Sequence, residues 1–196
     1  MLHLGVVSCN EPKDFQTGSE YSLNGYSFTI LPDSKIDQID SGVTGTGKIV
    51  FTQPLGEVSS SRNIKITLEI PELTFAELRL YSDKNLERGI LIRISRLQNV
   101  VRIGSITSDN FTNKSIQLEE TAAKSISLAI DVHNNETPAH VLAWPASSAA
   151  VTDDNALFNS DADSEMTGNG ASNFWGMVLG GAKITNLELN DALLSH

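Results

Sequence analysis

The longest unbroken alternation in the chain runs over residues 63–70. Ile64, Ile66, Leu68 and Ile70 share one face, and Asn63, Lys65, Thr67 and Glu69 share the other. A period of two with one apolar and one polar side predicts an antiparallel strand that covers a core and faces water. The rhythm returns at 125–144. Ile126, Leu128, Ile130 and Val132 alternate with Ser127, Ala129, Asp131 and His133. Asn134, Asn135 and Pro138 interrupt the run, and Val141, Leu142 and Trp144 resume it. Two runs around a turn predict a hairpin. Shorter alternations at Tyr26/Phe28/Ile30, Ile49/Phe51, Leu78/Leu80, Ile90/Ile92/Ile94, Val101/Ile103 and Ile116/Leu118 predict further strands, with a first short one over residues 4–8. The segment 73–80 lacks a sustained 3.6-residue period and is not a helix.

Two long stretches break the pattern. Residues 33–47 are polar and Gly-rich and predict a loop with little structure of its own. Residues 146–173 are rich in Ala, Ser, Asp, Asn and Gly and predict a long acidic loop. Beyond it, a strand over 174–179, a turn at Gly180-Gly181 and a last strand over 183–189 close the chain. The alternation slips between Ile184 and Leu187, which predicts a β-bulge. About twelve strands and no helix define an all-β protein, a jelly-roll β-sandwich of two antiparallel sheets. A length of 196 residues suits one domain with a sizeable core. We assign 1–19 as an N-terminal strand or extension and 20–196 as a single sandwich.

Charge narrows the partners. The net charge is -10. An acidic chain lacks the basic face that displaces counterions from nucleic acid, and it is repelled by an anionic membrane surface. No apolar run is long enough to predict a membrane span. Past residue 150, Lys183 is the one basic residue, while Arg79, Lys84, Arg88, Arg93, Arg96 and Arg102 make the middle locally basic. The single cysteine, Cys9, excludes an intrachain disulfide. Val6-Val7-Ser8-Cys9 resembles the end of a lipoprotein signal, but no basic segment precedes it, and a first strand with a buried thiol is the simpler reading.

The run FWGMVLGGAKITNLELNDA at the C-terminal end resembles the closing hairpin of concanavalin A-like sandwiches, laminin G-type domains among them. GILIRIS, VVRIG and SISLAIDVH are similar to the consecutive strands of its sheets. The resemblance implies two stacked antiparallel sheets. It does not imply one function, because this fold carries lectins, glycosidases, lyases and adhesion modules.

Candidate chemistry follows from residue types. Glycoside hydrolysis needs two carboxyl groups facing each other, and the Glu-x-Asp-x-x-Glu spacing of jelly-roll glucanases is absent. Phe75-Ala76-Glu77-Leu78-Arg79 and Asp131-Val132-His133 resemble parts of jelly-roll alginate lyases, where Arg79 neutralises a uronate and His133 assists proton abstraction. Phe75 and Asp131 depart from that pattern, and Phe174-Trp175-Gly176 replaces its Tyr strand. No catalytic residue is assigned. Oxygen ligands at alternate positions suit Ca2+, so Asp153, Asp154, Asn159, Asp161, Asp163 and Glu165 form a candidate structural Ca2+ loop. Ser164 and Gly170 exclude an EF-hand. His133 and His140 flank a turn without an evident third ligand, which argues against zinc. Carbohydrate recognition uses aromatic platforms with polar partners. Trp144 and Trp175 flank the acidic loop, and His133, Asn134, His140 and Arg79 are the candidate polar contacts. A tryptophan in a sandwich is nevertheless more often core than platform.

The leading expectation is a non-enzymatic binding or adhesion domain for a glycan or other surface ligand, at an extracellular or virion surface. The alternatives are a structural jelly roll that assembles as a homo-oligomer and an alginate-lyase-like enzyme using Arg79 and His133.

Overall fold

A computed structural model describes residues 21–39, 41–57, 61–97, 100–104, 115–117, 125–134, 139–148, 150–161 and 173–194. Among them run thirteen strands: β1 Tyr21–Leu23, β2 Tyr26–Ile30, β3 Lys35–Ile39, β4 Gly42–Phe51, β5 Arg62–Glu69, β6 Phe75–Ser82 and β7 Ile90–Leu97. They continue with β8 Val100–Gly104, β9 Ser115–Gln117, β10 Ser125–His133, β11 His140–Pro145, β12 Phe158–Asp161 and β13 Phe174–Asn190. A short 3-10 turn, Asp153–Asn155, precedes β12. The all-β jelly-roll class read from the alternations is the observed one. The proposed strand at 4–8, Cys9 and the N-terminal extension lie outside the described residues.

β13 organises the whole. It spans 17 residues, long enough to serve two layers. Its edges are assigned by who pairs where. β4 pairs with it from Gly176 to Ile184. β6 pairs with Phe174 to Gly181, and β5 with Lys183 to Asn190. Since β4 holds one edge across the middle, β5 and β6 share the other edge end to end. The sheet therefore divides there. One layer runs β13-β6-β7-β8-β9 and the other β13-β5-β10-β11-β12, with β2 and β3 on β4 and β1 on β2. Every pairing is antiparallel.

The division corrects one expectation. Gly180-Gly181 is not a turn between two strands; the chain passes straight through. The glycines mark register shifts against β6 and β4, and Gly181 sits at φ 86, a conformation that costs a side-chain-bearing residue strain. The bulge expected after Ile184 is present as a register shift between Ile184 and Asn186 against β5.

A second correction concerns 33–47. This stretch contains all of β3 and the first part of β4, paired from Lys35↔Thr46 to Ile39↔Gly42. Its apolar content is low because Ile36 and Val43 alone carry the burial. Pairing with β13 holds β4 in place. Gly45, at φ 128, brings its backbone against the Lys35 carbonyl where a Cβ has no room. Likewise β12 lies inside the stretch expected to be loop, added to the edge of β11.

The inner faces share one core. Ile64, Ile66 and Leu68 of β5 and Leu128, Ile130 and Val132 of β10 pack in the same cluster as Leu78 and Leu80 of β6 and Ile92 and Ile94 of β7. Each such buried side chain contributes roughly 1.5–3 kcal/mol. At one end, Trp175 stacks on Phe51 at 4.2 Å between centroids and meets Tyr26 edge-on at 5.9 Å. Arg96, a polar-face residue by composition, pairs with Val101 and turns inward, donating to the Ile70 carbonyl at 3.0 Å. It thereby ties down the β5–β6 connection.

Candidate functional site

The outer faces of the two layers point away from a common core and carry different side chains. On β6, Ala76, Leu78 and Leu80 point inward, which puts Phe75, Glu77 and Arg79 together on the outer side. The β6–β7 register sets Glu77 opposite Arg93, Arg79 opposite Leu91 and Phe75 opposite Ser95. On the other flank, Gly176, Val178 and Gly180 of β13 lie opposite Arg79, Glu77 and Phe75. A Cβ at Gly180 would run into the Phe75 ring, so that ring lies over a position where the neighbouring strand has no side chain.

Four side chains interlock on this surface. Arg79 donates to Glu77 Oε2 from Nη2 at 2.6 Å and from Nε at 3.2 Å. Arg93 Nε stands 3.6 Å from Glu77 Oε1. The Arg93 guanidinium carbon lies 4.0 Å from the Phe75 ring centroid, a cation–π contact. The Glu77 side chain is 6% exposed, against 16% for Arg79 and 27% for Arg93. One carboxylate is thus held between two guanidiniums, leaving a net positive group whose remaining N–H donors border solvent. Glu77 is the one acidic side chain on the outer face of β6, β7 and the facing half of β13, so this surface lacks the paired carboxyls of glycoside hydrolysis.

The opposite layer is different. Asp131 is fully buried on the outer side of β10. Its Oδ1 accepts from Asn63 Nδ2 at 2.7 Å and its Oδ2 from the Leu194 backbone N–H at 2.6 Å, while Asn190 Nδ2 donates to Asn63 Oδ1 at 3.2 Å. The chain after β13 therefore lies over this face. Trp144 is covered by the segment that follows β11. Its ring packs with Leu142, Ala156 and Val151, and its Nε1 donates to the Thr152 carbonyl at 2.9 Å.

The expected glycan platforms are corrected by this burial. Trp144 and Trp175 are both 0% exposed, and the Trp175 Nε1 is committed to the Gln53 carbonyl at 2.7 Å. Neither indole presents a face to a ligand. His133 and His140 do come together, as register partners with ring centroids 6.3 Å apart, and Asn134 adjoins them, half-buried. Arg79 stands on the other layer's outer face, so the structure separates it from His133 and does not assemble the lyase pair.

Of the candidate Ca2+ ligands, Asp153 and Asp154 are exposed in the 3-10 turn. Asn159 donates its amide to the Asp153 carbonyl at 3.3 Å, a bond internal to the loop. Asp161 ends β12 opposite His140, and Asp163 and Glu165 lie outside the described residues. Among the described residues no three His, Cys, Asp or Glu side chains converge on a common point, and no helix is long and apolar enough to cross a membrane.

Sequence reasoning singled out Arg79 but not its partners Glu77 and Arg93 as site residues. The signal was the Phe-x-Glu-x-Arg alternation, which puts three side chains on one face, but Arg93 joins them only through the β6–β7 register.

No family model matches the chain, and no curated protein matches its sequence. Solved structures resemble its fold. The carbohydrate-binding module CBM66 from Bacillus subtilis aligns with a TM-score of 0.50 at 14% identity, covering 83% of this chain and 94% of that one. An endo-1,3-beta-glucanase from Streptomyces sioyaensis aligns at 0.47 and 9% identity, covering 85% of this chain and 75% of that one. A putative glycosyl hydrolase from Parabacteroides distasonis aligns at 0.47 and 8%, covering 84% and 93%.

Proposed function

We propose that the protein is a non-catalytic carbohydrate-binding domain that holds a glycan on the outer face of β6 and β7. The observation that carries this reading is the Glu77 carboxylate fixed between Arg79 and Arg93 beside the Phe75 ring. A sugar presents many hydroxyls in a fixed array, and a preorganised set of charged donors and acceptors recognises them at low entropic cost. Charge-assisted hydrogen bonds are also roughly twice as strong as neutral ones. The similarity in fold to a carbohydrate-binding module supports the reading. With the tryptophans spent in the core, binding here is hydrogen-bond driven rather than stacking driven.

The test is a glycan array followed by affinity electrophoresis in gels loaded with the best polysaccharide. Wild-type protein is retarded, and Arg79→Ala and Arg93→Ala migrate freely while keeping the wild-type circular dichroism. Binding that survives in both variants, or no binding to any glycan, overturns the proposal.

A further inference from the structure

The end of the roofed layer carries a second constellation, independent of the glycan reading. His133 on β10 lies directly opposite His140 on β11, and Asp161 on β12 is the next residue in the same row. Residues opposed across an antiparallel pair have Cβ atoms about 4.5–5.5 Å apart, a spacing from which two imidazoles reach one ion. Both histidines are half-buried, so they are partly fixed and still open to solvent. Their rings are tilted at 75° with centroids 6.3 Å apart. Two imidazoles on a tetrahedral ion, with Zn–N bonds near 2.0–2.1 Å, hold their centres about 5 Å apart. Closing by about 1 Å is within the torsional freedom that a histidine ring has about its broad χ2.

We propose that His133 and His140 form a two-histidine site for a first-row divalent transition ion, not a three-ligand zinc centre but a weaker, exchangeable one with solvent completing the coordination. Imidazole nitrogen suits Zn2+, Ni2+ and Cu2+ and not Ca2+, which takes oxygen ligands. The site therefore differs from the Ca2+ loop expected from the acidic residues. An ion here bridges β10 and β11 and so clamps their last register pair.

Zn2+ titration of the full chain by isothermal calorimetry tests this. The expected result is one equivalent bound, unaffected by an equal concentration of Ca2+. His133→Ala and His140→Ala each weaken it by roughly tenfold or more, at least the effect of losing an outer partner of a metal ligand. The double variant His3→Ala/His196→Ala removes the two other histidines and leaves the affinity unchanged. Circular dichroism confirms that each variant is folded. As a second readout, Co2+ added to wild-type protein broadens the imidazole NMR signals of His133 and His140 selectively. Zn2+ binding that persists in both single variants, displacement by Ca2+, or no binding overturns the proposal.

Discussion

The two outer faces of the sandwich arise from the same period-two alternation, but they are covered in different ways. Over β10 and β11 the cover is a later stretch of chain: Val151 and Ala156 pack with Trp144, the Thr152 carbonyl accepts from its indole, and the Leu194 N–H donates to Asp131. Over β6 and β7 the cover of Glu77 is two arginine side chains. A roof made of chain is part of the fold and opens only by local unfolding. A cover made of side chains needs no unfolding of the backbone to meet a ligand. The cover over Trp144 and Asp131 is therefore part of the fold, and the arginine-covered face is the one on which we propose recognition. Mutations on the first should cost stability, and mutations on the second should cost affinity.

The largest expected effect tests the roof. Trp144→Ala should destabilise the protein by about 3–5 kcal/mol, as large-to-small core changes do, read as a lower urea midpoint. Glycan affinity of the folded fraction should be unchanged. A small loss of stability would show that the loop over Trp144 is only loosely seated. Next comes Asp131→Ala, which takes from the Asn63 amide its short acceptor, leaving it the Ile130 carbonyl at 3.5 Å, and removes the acceptor of the Leu194 N–H. A buried group left unsatisfied costs about 1–3 kcal/mol; with Leu194 half-buried and Asn63 keeping a long bond, a loss of about 2–4 kcal/mol is expected. Deleting residues 191–196 should cost less than this. Combined with Asp131→Ala it should cost less than the sum, because both changes break the same bond.

The contrast between the faces explains what was legible in the chain. β5, β7 and β10 stand out because each buries one face completely, and burial writes a period of two into the sequence. β3 and the start of β4 do not, since Thr44, Gly45, Thr46 and Gly47 are held by backbone pairing and backbone pairing leaves no hydrophobic trace. β13 misleads for the opposite reason: Gly180-Gly181 has the composition of a turn and the geometry of a sheet division. The roof over Trp144 was also hidden, because Val151 and Ala156 are too small and too scattered to announce a packing surface. Alternation places Phe75, Glu77 and Arg79 on one face, but their meeting with Arg93 depends on the register of a strand 16 residues away, which no local pattern encodes.

On the arginine-covered face the expected order reverses. Glu77→Gln keeps the shape of the side chain and removes its charge, so both ion pairs are lost together. Stability should fall by about 1.5–3 kcal/mol, the range for hydrogen bonds to a charged group. Glycan retardation should weaken at least tenfold, about 1.4 kcal/mol. A large stability loss with intact binding would move Glu77 to the structural class and break the contrast. Gly180→Ala is a milder probe. The added methyl group pushes the Phe75 ring from its place beside Arg93, and an aromatic ring at the surface moves at low cost, so about 1 kcal/mol of stability is at stake. A several-fold loss of affinity is expected by affinity electrophoresis.

The smallest effect is expected for Lys183→Ala. Lys183 Nζ meets Glu69 Oε1 at 3.0 Å across β13 and β5, on the same side as the roofed face but beyond the roof. The Glu69 side chain is 42% exposed and that of Lys183 15%, so water screens the pair from the carboxylate side. Exposed ion pairs typically contribute 0–1 kcal/mol, so about 0.5 kcal/mol is expected in urea denaturation, falling further as salt is raised. The value matters because it shows what a partly solvated charge pair contributes in this layer, against the fully buried Asp131. If Lys183→Ala cost as much as Asp131→Ala, the exposed ion pair would be as important as the buried Asn63–Asp131–Leu194 chain. The stability of the roofed face would then come from charge along its open edge and not from the roof.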